Sequence, residues 1–512
     1  MSIDATQKRI PGLSKSRYTG FLSCPRLGYL RAFPALFATL CTVDPSRQAL
    51  FDMGNRVGEL AREYYPGGLL IGADHLHIPE AMRQTQEALA AGREVIYEAA
   101  IEHDGILVRV DVLRRLDHGF FELTEVKSGT KVDPARHVPD VAIQLHVLES
   151  AGLPVGRAQL MHIDRDYVHP GGDTYRPRDL FASEDVTDAA RRHIATVLPS
   201  ALRDIALWLR AAEPPEVSVK NSCRGCEYYE GYCRPRCPEF PVGELGRATG
   251  AIACLEAAGI ADLCELAPNS LEYARLAGLL RTSSLGPRVL RMIDAVRGGQ
   301  LRVEPGLGES LIRLAFPLHF LDFESWSPAL PVFAGTRPYE QIPFQWSDHR
   351  LLVDGTCDHA GHLADGCDDP RIEVAASLVL RFADAGSILA YHASFERERL
   401  RDLACLAPAL EAPLLDMAKR LVDLETIVAD HVYHPDFHGS FSLKSVLPAL
   451  VPGCGYDGLA IRDGGAAALA YERLRRLPPG PEREGLRADM IEYCAQDTRG
   501  MVEIYQVLRR LT

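Results

Sequence analysis

The sequence predicts an α/β protein of more than one domain, and three observations carry that expectation. A chain of 512 residues is too long for one hydrophobic core and should divide into two or three domains. Two strand-like runs flank a turn in GILVRVDVLRRLDHGFFELTEVKSG, residues 105 to 129. After GLGESLIRLAFPLHFLDFES, strand-like and helix-like segments alternate to the last residue.

Local punctuation sets the expected boundaries. RAAEPPEVSVK precedes a cysteine cluster and PEFPVGELG follows it, so a first domain is expected over 1–240. Residues 241–303 read as a helical linker. Within it AIACLEAAGIADLCELA, with Gly259 between two apolar helical runs, would alternatively form a helix-hairpin-helix that touches a nucleic-acid backbone. Residues 304–512 make the last domain.

Composition narrows the function. The net charge of −13 leaves no whole-chain field to attract nucleic acid, so contact with a polyanion has to be local. Acidity does not exclude a nuclease, because metal-dependent nucleases concentrate carboxylates where cations bridge them to phosphate. The apolar run LRAFPALFATLCTV is too short to cross a bilayer and contains Pro34, and the polar start has no signal-peptide order. A cytoplasmic protein without a membrane partner is expected. In that reducing compartment thirteen scattered cysteines would not build a disulfide framework. The local cluster NSCRGCEYYEGYCRPRC is therefore a metal-site candidate, and the pairs Cys223-x2-Cys226 and Cys233-x3-Cys237 suit a closed tetrahedral zinc site.

Residues 105 to 129 read as a β-hairpin around Asp117-His118-Gly119. With the turn centred on His118, Asp111 and Glu125 are equidistant from it and face each other, their Cβ atoms roughly 5 Å apart. Lys127, two residues beyond Glu125, shares that face. Two like charges so close are costly unless a cation lies between them or one carboxyl is protonated. Mg²⁺ or Mn²⁺ held by Asp111 and Glu125 would polarise a phosphodiester and activate water, with Lys127 orienting that water or offsetting charge. An acid-x-Lys triplet arises about once by chance in such a composition, so the opposed Asp111 carries the argument. Without it the hairpin would bear ordinary surface charges.

These stretches resemble the PD-(D/E)xK nucleases of the RecB-like branch. The resemblance rests on LSKSRYTGFLSCPRLGYL at 13 to 30, VDVLRRL with Asp111, TEVKSG with Glu125 and Lys127, and the helix VAIQLHVLESAG with Gln144. It implies a restriction-endonuclease-like fold with Asp111, Glu125, Lys127 and Gln144 in the active site. It also implies an iron-sulfur staple, a 4Fe-4S cluster on Cys24, Cys223, Cys226 and Cys233, with Cys237 spare and zinc as the rival. That branch usually has a His four residues after a Gly in an early helix. Here FDMGNRVGELA has Gly58 after Gly54, with Glu59 next to it as a candidate acidic ligand or an ordinary surface Glu.

The second constellation begins at PLHFLDFES, where Asp322 and Glu324 share a strand face. RADMIEYCAQDTRGMVEIYQVLRRL reads as a helix with Met490, Tyr493, Asp497, Met501, Ile504, Leu508 and Leu511 on one stripe. A carboxylate on an apolar face is expensive unless paired or metal-bound, so Asp497 is expected to meet the acids of the strand. Tyr493, one turn earlier, would orient the attacking water. SILAYHASFERERL reads as a strand running into a helix, with Glu396 starting the helix near the other carboxylates.

This set resembles the DEDD exonucleases of the DnaQ and RNase D type, with the Tyr-x3-Asp ending of their tyrosine subclass. Their second motif, usually H-N-x-x-F-D, stands here as YHASFE, with Glu396 at the Asp position and His392 in place of Asn. The resemblance implies an RNase H-like fold whose carboxylates would suit two Mg²⁺ ions about 4 Å apart; the alternative is a domain that kept them for structure. Asp423 in RLVDLETI is a further ligand candidate. His438 and Lys444 in HGSFSLKSVLPAL read as a solvated loop, or else line a substrate groove. CDHAGHLADGC, residues 357 to 367, suits no familiar metal spacing and reads as a loop insertion.

The whole arrangement resembles a bacterial family filed as a domain of unknown function. The expected activity is metal-dependent phosphodiester hydrolysis, as an exonuclease on single-stranded DNA or DNA ends, with DNA ahead of RNA. The alternatives are a nucleic-acid-binding scaffold, or an RNA-directed 3′-5′ exonuclease using only the C-terminal domain.

Overall fold

The structure is a computed structural model that describes residues 10–42, 45–74, 76–172 and 174–512. It divides into two compact units. The first comprises Met1–Ser218, Cys226–Cys233 and Pro328–Glu340; the second comprises Val219–Gly225, Arg234–Ser327 and Gln341–Thr512.

The expected cuts at 240 and 303 do not separate these units, and burial explains why. Ala329 and Leu330 lie in an apolar cluster with Val57, Met161 and Phe181, and the Thr336 carbonyl accepts from the His169 N–H at 3.0 Å, so this late segment rejoins the first unit. Leu255, Leu276 and Ile293 share a core with Phe320, Val428 and Tyr505, so the helical stretch belongs to the second. Pro-rich punctuation marks where a chain meets water, not which core it enters next. The helix-hairpin-helix alternative also fails. Gly259, at φ +75°, ends the helix Thr249–Ala257, and the run after it forms only a short 3₁₀ turn, Leu263–Glu265.

Both units are mixed α/β. The first is built on a sheet of β1 (Leu13–Ser14), β2 (Leu69–Leu70), β3 (Val95–His103), β4 (Ile106–Arg115), β5 (Phe121–Lys127), β6 (Val155–Ile163) and β7 (Phe181–Asp185). The order is β2-β3-β4-β5-β6-β7, with β1 beside β4. β3, β4 and β5 form an antiparallel meander, and β6 runs parallel to β5. A parallel neighbour requires a crossover. The helix Pro134–Ser150 provides it, with Pro134 in its first turn and the Asp133 side chain accepting from the Ala135 N–H. Val141, Ala142, Leu145 and Leu148 bury this helix, which carries Asp140 and Gln144 into the interior with them. In the hairpin, Val112 pairs with Thr124 and Leu113 with Leu123, the register that a turn centred on His118 requires. His118 and Gly119 make the turn at φ +60° and +82°.

The second unit contains β8 (Arg302–Val303), β9 (Leu318–Trp326), β10 (Ile342–Leu351), β11 (Cys357–Leu363), β12 (Ile388–Ala390), β13 (Leu421–Asp423) and β14 (Val432–Tyr433). Its main sheet has the order β11-β10-β9-β12-β13, antiparallel through β9 and parallel beyond it, while β8 pairs with β14. The helix Pro481–Arg510 buries Met490, Cys494, Met501, Ile504 and Leu508. The expected loop insertion at 357 to 367 is corrected here, since Cys357–Leu363 is an edge strand paired with β10 from Gln345–Leu363 to Leu351–Cys357. Most of its residues face water, so it lacks the apolar alternation that marks a half-buried strand. Among the described residues no helix is long and apolar enough to cross a membrane.

Two candidate metal centres

In the first unit the hairpin register brings the expected acids together. Asp111 on β4 accepts from the Val126 N–H at 2.7 Å through Oδ2, beside Glu125 on β5. Glu125 is almost fully buried and accepts four hydrogen bonds from three side chains: Lys15 Nζ at 2.8 and 2.9 Å, Lys127 Nζ at 2.7 Å, and Gln144 Nε2 at 2.7 Å. Lys127 also pairs with Asp140. Burial works against the charge of Glu125, yet Lys15 and Lys127 hold it well below the usual carboxylate range. Asp111 moves the other way, pushed up to about 7 by burial and by Glu125. Glu59, Glu98, Asp111, Glu125 and Lys127 line one cavity of about 520 Å³. Glu59 is exposed and paired with Arg56 at 2.9 Å, so it stands at the rim.

Lys15, Asp140 and Glu98 were not singled out from sequence. Asp140 precedes Gln144 by four residues on one helix, so their shared face was a usable signal. Glu98 interrupts β3 at φ +57°, between Tyr97 paired with Val112 and Ala99 paired with Val110, which sets it across from Asp111. A non-glycine residue at positive φ inside a strand is strained backbone of the kind that gathers at functional sites.

Cys24 lies between the helices Lys15–Ser23 and Pro25–Ala32. It falls in the first unit with Cys226 and Cys233, while Cys223 and Cys237 fall in the second. Arg26 Nη1, two residues after Cys24, stands 3.7 Å from Cys233 Sγ, and Arg31 grips Glu227 at 2.6 and 2.9 Å. The N-terminal helices and the Cys226–Cys233 segment are thus neighbours. A guanidinium beside that sulfur complements the negative charge of a ligated thiolate.

The second unit gathers the other acids. Asp322 and Glu324 on β9 lie close to Cys494 of the Pro481–Arg510 helix, one donor atom from each falling within 4.8 Å of the others. Asp497, one turn after Cys494, is buried and accepts a short hydrogen bond from the Tyr456 hydroxyl. Glu396, in the first turn of Ser394–Leu406, is buried with Oε2 lacking any hydrogen-bond partner. Burial, then the charges of Asp497, Glu324 and Glu396, push Asp322 well above the usual range. Burial and Asp497 do the same to Glu324. Burial lifts Asp497 to about 6 and Glu396 to about 8.

Tyr493 joins this group: its ring lies 6.3 Å from that of Tyr456, and Lys444 Nζ stands 5.6 Å from the Tyr493 ring and 5.4 Å from the Tyr456 ring. Lys444, exposed at the start of the helix Leu443–Leu450, therefore borders the centre and does not lie in a loop. His438 does not; it stacks on Phe240 and bonds to Glu244 at 3.2 Å. Asp423 spends Oδ1 on the backbone N–H groups of Thr426 and His392, capping the helix Leu424–His431. Tyr456 and Cys494 were missed: Cys494 is one of the three unspecified positions of the Tyr-x3-Asp motif, and only folding brings Tyr456 to Asp497.

A family model described as "Domain of unknown function (DUF2779)" matches residues 319–442. The match spans Asp322, Glu324, Glu396 and Asp423 and stops short of Asp497. No curated protein matches the chain.

Proposed function

We propose that the protein is a divalent-metal-dependent nuclease that hydrolyses phosphodiester bonds, acting as an exonuclease on single-stranded DNA or DNA ends. One observation carries the reading: Asp322, Glu324, Glu396 and Asp497 converge in the second unit, each pushed above its ordinary range by burial. Such a cluster is costly without a cation, and its oxygens suit Mg²⁺ or Mn²⁺. A bound cation would activate water and stabilise the charge developing on the phosphodiester. The ammonium of Lys444 offsets the charges of Glu324 and Asp497 and is available to a phosphate oxygen, while Tyr456 fixes the orientation of Asp497. The strand order β11-β10-β9-β12-β13, with its antiparallel-to-parallel change at β9, is compatible with an RNase H-like domain. The β3-β4-β5 meander, crossover helix and β6 are compatible with a RecB-like nuclease domain.

The first unit differs in one respect. Lys15, Lys127 and Gln144 already satisfy Glu125, so this centre is closer to charge balance before any cation enters. That favours a second reading in which the C-terminal centre alone hydrolyses nucleic acid, RNA included, and the first unit binds it. In either reading Cys24, Cys226 and Cys233 of the first unit would be ligands of a structural iron-sulfur cluster, to which the Arg26 contact with Cys233 lends support.

The test is to purify the protein anaerobically and supply Mg²⁺ or Mn²⁺. Wild type, Lys127→Ala and Asp322→Ala are then compared on labelled single-stranded DNA, duplex DNA and RNA. Loss in one variant alone assigns hydrolysis to that centre. Intact substrate with wild type under both cations favours the scaffold. A brown protein with broad visible absorbance supports the cluster; a colourless one containing zinc refutes it.

A further inference from the structure

The second centre contains a donor that phosphodiester chemistry with hard cations does not call for. Cys494 is fully buried, and its Sγ lies 3.6 Å from Asp322 Oδ2. One donor atom from each of Asp322, Glu324 and Cys494 lies within 4.8 Å of the other two. A second, independent feature bears on the same acids. Glu396 is 3% exposed, its Oε2 has no hydrogen-bond partner among the described residues, and its charge acts on Asp322 and Glu324. A buried oxygen with nothing to accept from is expensive, and a cation would satisfy it. Cys494 and Asp497 are three residues apart on one helix and therefore share a face. A thiol that served only to fill volume would gain nothing from carboxylate neighbours.

We propose that Cys494 is a ligand of this centre, and that its sulfur makes the centre prefer a softer transition-metal cation, Co²⁺ or Zn²⁺, over Mg²⁺. Magnesium favours oxygen donors in near-ideal octahedral geometry, whereas a thiolate favours softer ions. On binding, the Sγ–H bond breaks, the proton passes to solvent, and a sulfur lone pair forms the bond to the metal; no oxidant or reductant is needed. The inference rests on the reading of this cluster as a metal centre.

The test titrates Co²⁺ anaerobically into the full-length protein and into Cys494→Ser, Cys494→Ala and Asp322→Asn, reading the near-ultraviolet thiolate-to-cobalt absorption and competing with Mg²⁺. In difference spectra against Cys494→Ser and Cys494→Ala the wild type should show an added band, and Asp322→Asn, which keeps the thiol, should reach it only at higher Co²⁺. The wild-type Co²⁺ affinity should be about tenfold or more above that of Cys494→Ser, with Mg²⁺ affinity changing far less. Two Cys494 variants carry the same spectral readout, so failure of one to fold leaves the test intact. Equal Co²⁺ affinity and identical spectra in wild type and both Cys494 variants, with binding weakened only in Asp322→Asn, would refute the sulfur ligand and keep the metal centre. Titration of Asp322→Asn indistinguishable from wild type would refute the metal centre itself.

Discussion

Lys15 Nζ lies 2.8 and 2.9 Å from the two carboxylate oxygens of Glu125, a residue 110 positions later in the chain. The helix that follows β1 thus delivers a second ammonium to the acid that Lys127 already contacts. With both lysines in place, Glu125 stays ionised despite its burial. We expect Lys15→Met to lower hydrolysis at the first centre by about 100-fold, the typical effect of removing one preorganised charge from an active site. Lys15→Arg should recover part of it. If Lys15 only neutralises a buried charge, Lys15→Met will instead lower the melting temperature and leave the rate at saturating metal unchanged.

Among the described residues the second centre has no comparable pair of lysines, so chelation and pH should affect it strongly. Its carboxyls must lose their protons to bind a cation, and burial holds Asp497 at about 6 and Glu396 at about 8. Metal affinity should therefore rise between pH 6 and pH 8. The stabilisation that Mn²⁺ confers in a thermal melt, set by the ratio of its concentration to its dissociation constant, should be larger at pH 8 than at pH 6. Asp322→Asn should flatten that difference. A shift independent of pH would argue against carboxylate ligands.

Much of this was legible in the sequence, for identifiable reasons. Asp111 and Glu125 are symmetric about His118, and a tight turn leaves the register little freedom. Asp497 interrupts an apolar helical stripe, so its burial could be foreseen together with its need for partners. Lys15 and Tyr456 reach their carboxylates from remote elements, and no periodicity or spacing encodes such contacts. β11 escaped because an edge strand facing water has little reason to alternate, and Pro328–Glu340 because a few tertiary contacts, those of Ala329, Leu330 and Thr336, tie it to the first unit.

Gly439 gives a stability test near the second centre. It sits at φ +72°, and a Cβ there would lie 2.2 Å from the Glu244 carbonyl oxygen. Both the backbone conformation and the contact oppose any side chain. Gly439→Ala should destabilise the protein by about 2 kcal/mol or more in chemical denaturation. Because this loop leads into the helix Leu443–Leu450 that carries Lys444, the variant should also raise KM. Wild-type stability in Gly439→Ala would show that the loop can move away from Glu244.

Glu244 supplies a pH dependence that involves no metal ligand. It is 5% exposed, its Oε1 lies 3.2 Å from His438 Nδ1, and its Oε2 has no hydrogen-bond partner. Burial pushes its carboxyl up to about 7, against the pull of Arg224. In the unfolded chain the same group titrates near 4.5, so between these two values the folded state binds more protons. Stability is then full below pH 4.5, declines as the pH rises toward 7, and is flat above it. The span is at most about 3.5 kcal/mol, at about 1.4 kcal/mol per pH unit. Glu244→Gln, which stays neutral in both states, should lose this slope and be more stable than wild type at pH 8. Denaturation curves at pH 5, 6, 7 and 8 measure the difference directly. Equal slopes in the two proteins would mean that Glu244 ionises normally, with its charge met by Arg224.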